Sequence, residues 1–288
     1  MGKNMQIDLE KIFQLGEKVA VVTGGGGELC GVISSALAGL GIKVAILDVD
    51  INKAQAREDA ILDSKGVAKA FECDVLDEAA LRAKFIDISE RWGKPDILIN
   101  GAGGNHPAGS VDKEFLEPDD IDNVDIHGFL DLEFQGFRKV FELNFFGTFL
   151  ASKVFAAGMV KKGSGTIINI SSMAAMTPLT KVPAYSAAKA AVSNFTRWLA
   201  VHFSHVGIRV NALAPGFFMT EQLRFLHVNQ ETGELTDRAR KVIEHTPMKR
   251  YGDSMDLIGA VIWLASDASR FVTGTVVPID GGFSSLSI

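Results

Sequence analysis

The feature that most constrains the fold is a regular alternation of short apolar segments with longer segments of helical spacing. Seven segments rich in β-branched residues predict strands, at residues 18–23, 43–48, 67–73, 96–100, 166–171, 208–214 and 275–280. Most of them are continuously apolar, which is typical of parallel strands covered by helices on both faces. The alternation therefore predicts an α/β fold, a single Rossmann-type doubly wound domain over residues 1–288 with a seven-stranded parallel sheet and helices on both faces.

Composition and charge exclude several classes of protein. The formal net charge is −6 and no basic stripe is present, which argues against a nucleic-acid partner, because phosphate backbones are bound by clustered Lys and Arg. No apolar run approaches the roughly 20 residues that span a bilayer, so we expect a cytoplasmic protein with no membrane partner. Cys30 and Cys73 are far apart and predict two reduced, partly buried thiols. His202 and His205 lack a third ligand, so we expect no metal site.

The first predicted strand continues into a glycine-rich turn, VAVVTGGGGELCG over residues 19–31, and then into a predicted helix. The backbone N–H groups of this turn can converge on a phosphate with the helix dipole behind them. Asp48 ends the second strand, where a carboxylate accepts hydrogen bonds from an adenosine ribose and repels a 2′-phosphate, which predicts NAD. A flexible turn without a ligand and a solvated Asp48 are the alternatives. The predicted cofactor contacts here are Thr23, Gly24, Gly26, Gly27, Leu29 and Asp48.

A second group of polar residues predicts proton transfer. The segment YSAAK places Tyr185 and Lys189 four residues apart, on one face of a predicted helix. A phenol titrates near 10, and a nearby ammonium lowers that pKa, so the pair predicts a general acid/base. Ser172 ends a predicted strand 13 residues earlier, where it can hydrogen-bond the same substrate oxygen, and Asn144 is a polar residue in an apolar stretch. Taken alone, a Tyr and a Lys four residues apart indicate an ordinary surface pair, and the position of Ser172 favours the catalytic interpretation instead.

The motifs around these residues resemble those of the short-chain dehydrogenase/reductase family, and the resemblance covers residues 13–284. It implies that Tyr185 moves a proton to or from the reacting oxygen and that Ser172 stabilises this oxygen. It implies that Lys189 binds the nicotinamide ribose, that Asn144 supports a proton-relay water, and that the protein is a homotetramer. Further cofactor contacts implied by the family motifs are Asp74, Val75, Asn100, Gly101, Ala102, Tyr185, Lys189, Pro215, Gly216, Phe218 and Thr220.

Within the family, the chain is similar to the group of D-mannonate oxidoreductases, also called D-fructuronate reductases, through TGGGGELC, INGAGGNHP and APGFFMTEQ. The likeness implies a small sugar-acid substrate. An acidic insertion at about 104–135, with its acids on a solvated surface, and a mobile substrate segment at about 216–248 both follow strand ends where α/β folds bind ligands. Two alternatives stay open: another polyol or sugar-acid dehydrogenase such as a gluconate 5-dehydrogenase, and a catalytically silent nucleotide-sensing protein. Candidate substrate contacts are Asn105, His106, Lys181 and Arg224.

Three positions depart from the family patterns. The pattern TGxxxGxG requires glycine where this chain has Glu28 and Cys30, and NGAG stands in place of the common NNAG at Gly101. A carboxylate facing the pyrophosphate at about 4 Å would be opposed by roughly 4 kcal/mol at an effective dielectric of about 20. We therefore expect Glu28 to turn away from the phosphates and to act as a helix-start acid, which the helix dipole favours, with no ligand contact.

Overall fold

All seven predicted strands are present in the computed structural model, which describes residues 8–230 and 232–287. Each strand boundary lies within one residue of its expected position. The neighbouring strands are all parallel, in the order β3-β2-β1-β4-β5-β6-β7, which confirms the predicted fold class. The strands are β1 Val19–Thr23, β2 Lys43–Asp48, β3 Val67–Glu72, β4 Ile97–Asn100, β5 Gly165–Ile170, β6 Ile208–Pro215 and β7 Val276–Ile279.

Helices cover both faces of this sheet. Because successive side chains of a strand point to opposite faces, Ala20 and Val22 of β1 belong to one core and Val19 and Val21 to the other. The first core is completed by α2, α3 and α10, and the second by α4, α6 and α7. The helices are α1 Leu9–Phe13, α2 Glu28–Gly39, α3 Ile51–Asp63, α4 Glu78–Trp92, α5 Phe134–Phe141, α6 Gly147–Lys162, α7 Pro183–His202, α8 Glu221–His227, α9 Asp237–His245 and α10 Ile258–Ala265.

One helical stretch corrects an expectation drawn from the sequence. α5, a π-helical turn at Glu142–Phe146 and α6 form one continuous helix over Phe134–Lys162, which is long and apolar enough by length and composition to cross a membrane. More than half of its most apolar window is nevertheless buried within the fold, and Phe155 and Met159 are fully buried in the second core. The stretch therefore serves as a core helix of the domain.

The insertion contacts two segments, one just before α7 and one within α9. Between β4 and α5 it contains three short 3₁₀ turns, Pro107–Gly109, Pro118–Asp120 and Phe129–Asp131. Its Val111 N–H donates to the carbonyl of Lys181 (2.9 Å), just before α7. Its Glu114 pairs with Lys241 of α9 (3.7 Å), within the substrate segment, of which residue 231 lies outside the described residues. The insertion thus joins the start of α7 to the substrate segment.

The acids of the insertion were expected on a solvated surface, and Asp120 is an exception. Its side chain is buried, and one carboxylate oxygen accepts a hydrogen bond from Lys113 Nζ (2.6 Å). The other accepts from the backbone N–H of Glu117 (2.9 Å), so Asp120 has a structural role in folding the insertion.

Candidate active site

The carboxyl ends of the central strands bring the predicted catalytic residues to one edge of the sheet. The strand order changes direction between β1 and β4, which is where an open α/β sheet forms its ligand crevice. Ser172 follows β5, Tyr185 and Lys189 lie on the first turns of α7, and Asn144 lies in the π-helical turn before α6. Each of these four residues is thus carried by a regular element at or beside the crevice.

Lys189 is held in a fixed, nearly dry position. Only 4% of it is exposed, and its Nζ donates to the carbonyl of Ile170 (2.7 Å), at the end of β5. Its Nζ also lies 5.6 Å from the centre of the Tyr185 ring, so the two side chains share a face of α7 as predicted. Burial lowers the pKa of Lys189 to about 8, because desolvation disfavours the charged form.

The pKa of Tyr185 moves in the opposite direction to the one predicted. Burial of the phenol raises its pKa above the ordinary value, and the neighbouring Ser172 hydroxyl opposes this rise. The ammonium of Lys189 was expected to lower this pKa, but desolvation is the largest effect on the phenol, and the effect that opposes it comes from Ser172. The phenol therefore carries its proton at neutral pH.

Buried hydroxyl and amide groups fasten α7 to β5. Ser171 Oγ donates to the carbonyl of Lys189 (3.1 Å) and shares a hydrogen bond with Ser193 Oγ (2.7 Å). Asn169 Nδ2 donates to Thr196 Oγ1 (2.8 Å). These positioning residues were not predicted from the sequence, although the small polar side chains of Ser193 and Thr196 recur on the face of α7 that carries Lys189.

Asn144 positions the loop beside Lys189. Its Nδ2 donates to the carbonyls of Gly104 (2.7 Å) and Val140 (2.8 Å), and its Oδ1 accepts from the N–H of Gly104 (3.1 Å). A Cβ added at Gly103 would lie 3.2 Å from Lys189 Nζ, so this loop passes directly over the lysine. The structure gives Asn144 a role in shaping the crevice, and its role in supporting a water stays a prediction.

In the glycine-rich turn, two of the predicted phosphate donors make hydrogen bonds within the protein. The N–H of Gly26 donates to Asp48 Oδ2 (3.0 Å) and that of Gly27 to the carbonyl of Gly24 (3.1 Å), so neither is free for a ligand. Gly24 has a φ of 63°, and a Cβ there would lie 2.8 Å from the backbone of Ala102. α2 begins without a side-chain cap, which leaves the N–H groups of its first turn for an anion.

The remaining features of the crevice suit a dinucleotide. Asp48 is partly exposed, and each of its carboxylate oxygens accepts one backbone N–H, from Gly26 and from Asp50 (3.0 Å each). Each oxygen keeps a second lone pair, so the carboxylate can also accept hydrogen bonds from ribose hydroxyls. Leu29, in the uncapped first turn of α2, is partly buried against the first core. The residues present therefore fit a dinucleotide cofactor.

Several predicted cofactor contacts are structural through their side chains. The buried Thr23 Oγ1 accepts the N–H groups of Gly101 (3.1 Å) and Ala102 (3.2 Å) and so shapes that turn. The Asn100 side chain points into the fold, where Nδ2 donates to Ser152 (2.9 Å) and Asn169 (2.8 Å). Neither side chain is placed to contact a cofactor.

Four further predicted cofactor contacts, which lie further along the crevice, also have side chains that make contacts within the protein. Val75 is buried against Gly147, and Phe218 is buried in the first core. Thr220 accepts the N–H of Leu223 (3.3 Å) and caps α8. Asp74 is exposed and accepts the N–H of Leu76 (2.9 Å).

The turn after β6 packs tightly on the end of the sheet. Pro215 ends β6, and the N–H of Gly216 donates to the carbonyl of Ile279 in β7 (2.9 Å). A Cβ at Gly216 would lie 2.7 Å from Asp280, so glycine is required here by close packing.

Glu28 has a partner that the sequence did not indicate. It is exposed and occupies the first turn of α2, as predicted. Its Oε2 accepts the backbone N–H of Glu221 (2.7 Å), the first residue of α8, 193 positions away. Glu28 is therefore more than a helix-start acid, because it joins the cofactor loop to the substrate segment.

The two unusual residues Cys30 and Gly101 lie against each other, and the size of one accounts for the other. The Cys30 side chain is 6% exposed, and a Cβ added at Gly101 would overlap its Sγ. The two departures from the family patterns therefore compensate, since the thiol fills the space that a side chain at 101 would occupy. Burial raises the pKa of Cys30 to about 12 and that of Cys73 to about 11, and both are free thiols, which confirms the expectation for the cysteines.

The four candidate substrate residues lie in three segments. Asn105 and His106 share the exposed turn after β4, where Asn105 Nδ2 donates to Ser110 (2.9 Å). Lys181 precedes α7, and Arg224 is exposed on α8. The structure places another cation, Lys139 of α5, with its Nζ 3.4 Å from His106 Nε2. Its sequence position gave no signal, because only folding brings α5 against the turn.

The structure also bears on metals. Within residues 8–230 and 232–287, no three or more His, Cys, Asp or Glu side chains are grouped so that they could hold a metal ion. His202 instead stacks on Trp198, with ring centres 4.7 Å apart.

Comparison with known proteins places this site in context. The family model described as enoyl-(acyl carrier protein) reductase, of the short-chain dehydrogenase type, matches residues 30–284. The uncharacterized oxidoreductase UxuB of Bacillus subtilis is 49% identical over 274 residues, 95% of this chain and 97% of that protein. A crystal structure of a candidate D-mannonate oxidoreductase from Haemophilus influenzae with bound NAD is 46% identical, with a TM-score of 0.91 over 95% of this chain and 97% of that one. A gluconate 5-dehydrogenase from Burkholderia cenocepacia, in complex with NADP and tartrate, is 29% identical, with a TM-score of 0.81 over 97% of this chain and 100% of that one.

Proposed function

The chain belongs to the short-chain dehydrogenase/reductase family, and from this premise we propose that it is an NAD-dependent oxidoreductase that interconverts D-mannonate and D-fructuronate. One observation carries the proposal. Ser172, Tyr185 and Lys189 meet at the carboxyl edge of the sheet, beside the uncapped start of α2 and the carboxylate of Asp48. The choice of NAD and of a sugar acid is supported by the full-length similarity to the Haemophilus influenzae protein.

The residues divide the chemistry between them. Bound NAD supplies or accepts the hydride. In reduction, the phenol of Tyr185 donates its proton to the carbonyl oxygen, and its raised pKa keeps that proton in place at neutral pH. The Ser172 hydroxyl donates a hydrogen bond to the same oxygen as negative charge develops there. Lys189, held by the Ile170 carbonyl, places a cation beside the phenol ring, which stabilises the phenolate that accepts the substrate's hydroxyl proton in oxidation.

The test has two parts. NADH absorbance is followed with the wild-type protein and a panel of hexonates and ketohexuronates, with NADPH in parallel. Turnover with D-fructuronate and NADH is expected to exceed that with the other substrates and with NADPH. Tyr185→Phe should then lose about 10²- to 10⁴-fold in kcat, the usual contribution of a positioned general acid, with NADH binding largely kept. Near-normal turnover of this variant would refute the assigned role.

Two alternatives are separated by the same panel. Another sugar-acid dehydrogenase, such as a gluconate 5-dehydrogenase, is favoured by the similarity to the Burkholderia cenocepacia enzyme and would show turnover with 5-ketogluconate instead. A silent nucleotide-sensing protein would bind NADH without oxidising it on any substrate. The complete set of Ser172, Tyr185 and Lys189 supports an active enzyme over this alternative.

The proposal extends to assembly and location. We propose a cytoplasmic homotetramer built on the long helices α6 and α7. An exposed aromatic surface on α6, α7 and the π-helical turn before α6 supports it, because large apolar patches are unusual on monomers. This surface consists of Phe146, Phe149 and Trp198, which are 43%, 38% and 57% exposed.

A further inference from the structure

The turn that carries His106 selects one tautomer of its neutral imidazole ring. The backbone N–H of Ala108 donates to Nδ1 of His106 (3.2 Å), and an Nδ1 that accepts a hydrogen bond carries no proton. The proton of the neutral imidazole is therefore on Nε2, which faces Lys139 Nζ at 3.4 Å. An ammonium has only donors, so two donors converge without an acceptor between them. This arrangement favours an anion at the point where they meet.

The turn that carries His106 is packed against the helix that carries Tyr185. A Cβ at Gly109 would lie 2.8 Å from Val140 of α5 and 3.1 Å from Ala184, the residue before Tyr185. On the other side, a Cβ at Gly136 of α5 would overlap the carbonyl of Ala108. The turn is therefore wedged between α5 and the first turn of α7. The turn and the part of α5 packed on it therefore lie beside the first turn of α7, which carries Tyr185.

The charge of Lys139 is not used elsewhere in the described part of the chain. No carboxylate contacts its Nζ there, whereas Lys113, Lys153 and Lys241 each pair with an acid. The chain has a net charge of −6, so acids are in excess. An ammonium left without an acid beside a histidine donor can take its counter-ion from the substrate.

We propose that His106 Nε2 and Lys139 Nζ form the subsite for the substrate carboxylate. This inference rests on the proposed function, because it takes a sugar acid as the ligand. One carboxylate oxygen accepts from the imidazole Nε2–H, and the ammonium binds the same oxygen or its partner. The reacting carbon of the substrate then lies toward Tyr185. Lys139 thereby takes the place that the sequence suggested for Lys181 or Arg224.

The test uses variants that keep the turn folded. Lys139→Met removes the charge and keeps the length, and Lys139→Arg keeps the charge. His106→Asn removes the Nε2 donor, while its Oδ1 can still cap the turn through the Ala108 N–H. Lys139→Met and His106→Asn should each raise KM for the ketohexuronate about tenfold or more, the size expected for loss of a hydrogen bond to a charged group. kcat should change little, and Lys139→Arg should stay within about threefold of wild type, since it keeps the charge.

The controls separate this subsite from a general effect of charge. Lys161→Met, at the exposed end of α6, removes one positive charge away from the crevice and should leave KM unchanged. A neutral ketohexose should be turned over slowly by wild type and equally slowly by Lys139→Met. Unchanged KM in both subsite variants, or a KM increase in Lys181→Met alone, would overturn the subsite while the proposed function stands. A wild-type protein that turns over no sugar acid would overturn both.

Discussion

Replacing Gly101 by alanine tests whether Cys30 and position 101 share one space. The added methyl would overlap Cys30 Sγ and lie 2.9 Å from the carbonyl oxygen of Thr23, and the thiol is only 6% exposed. Overpacking of a filled core costs about 1–3 kcal/mol. For a chain of this size each kcal/mol lowers Tm by about 2–4 °C, so Gly101→Ala should lower Tm by about 2–12 °C.

A second substitution makes the cause specific. Cys30→Ala removes the sulfur and leaves a small cavity, at a cost of about 1 kcal/mol. In the double variant the methyl at 101 enters the space left by the sulfur, so the variant should be more stable than the sum of the two changes allows. We expect a coupling energy of about 1–2 kcal/mol, with the Thr23 contact limiting the recovery.

The assay is differential scanning calorimetry of the four proteins at one protein concentration, with and without saturating NADH. Gly39→Ala is the matched control, because a Cβ there has nothing within 4 Å and alanine is the better helix former. It should hold or raise Tm. Effects of Gly101→Ala and Cys30→Ala that add within about 0.3–0.5 kcal/mol would refute the shared space.

Three further predictions follow from other contacts. Glu28→Ala removes the acceptor for the Glu221 N–H and should raise KM for the sugar acid about fivefold, the equivalent of about 1 kcal/mol, with the Kd for NADH nearly unchanged. Glu28→Gln keeps an acceptor and should match wild type. A change confined to NADH binding would contradict this prediction. Lys189 has a folded pKa of about 8 against an ordinary 10.5, so the unfolded chain binds more protons between these values and the ligand-free wild type should gain stability there as pH rises. Urea midpoints of Lys189→Met should lack this gain, and parallel curves for the two proteins would contradict the assignment. Trp198→Glu places a charge on the exposed aromatic surface and should reduce the mass measured by light scattering, whereas an unchanged tetramer would place the interface elsewhere.

The sequence was sufficient for the fold because each strand carries its own local signal. The β-branched runs predicted every strand to within one residue, and the pairing of Tyr185 with Lys189 followed from their spacing on one helix. Both inferences depend on residues close together in the chain, where periodicity fixes geometry. The order of strands then brought Ser172 beside them without further information.

What the sequence did not reveal depends on distant residues or on burial. The bond from Glu28 to Glu221 joins positions 193 apart, and no local pattern encodes it. The pKa of Tyr185 was predicted in the wrong direction because spacing shows its cationic neighbour but not how much water is excluded from the phenol. Asn100 was predicted as a cofactor contact from its place in the family motif NGAG. The motif does not show that its side chain faces Ser152 and Asn169.

The contact between Glu28 and α8 also limits how this enzyme can be redesigned. A cofactor loop transplanted from a relative with glycine at position 28 would bring its own phosphate geometry and delete the only acceptor that residues 8–230 and 232–287 offer to the Glu221 N–H. The graft would thus loosen the attachment of α8 to the crevice while altering the cofactor loop itself. The cofactor loop and the substrate segment are therefore not separable modules in this chain, and a change of one calls for re-optimisation of the other.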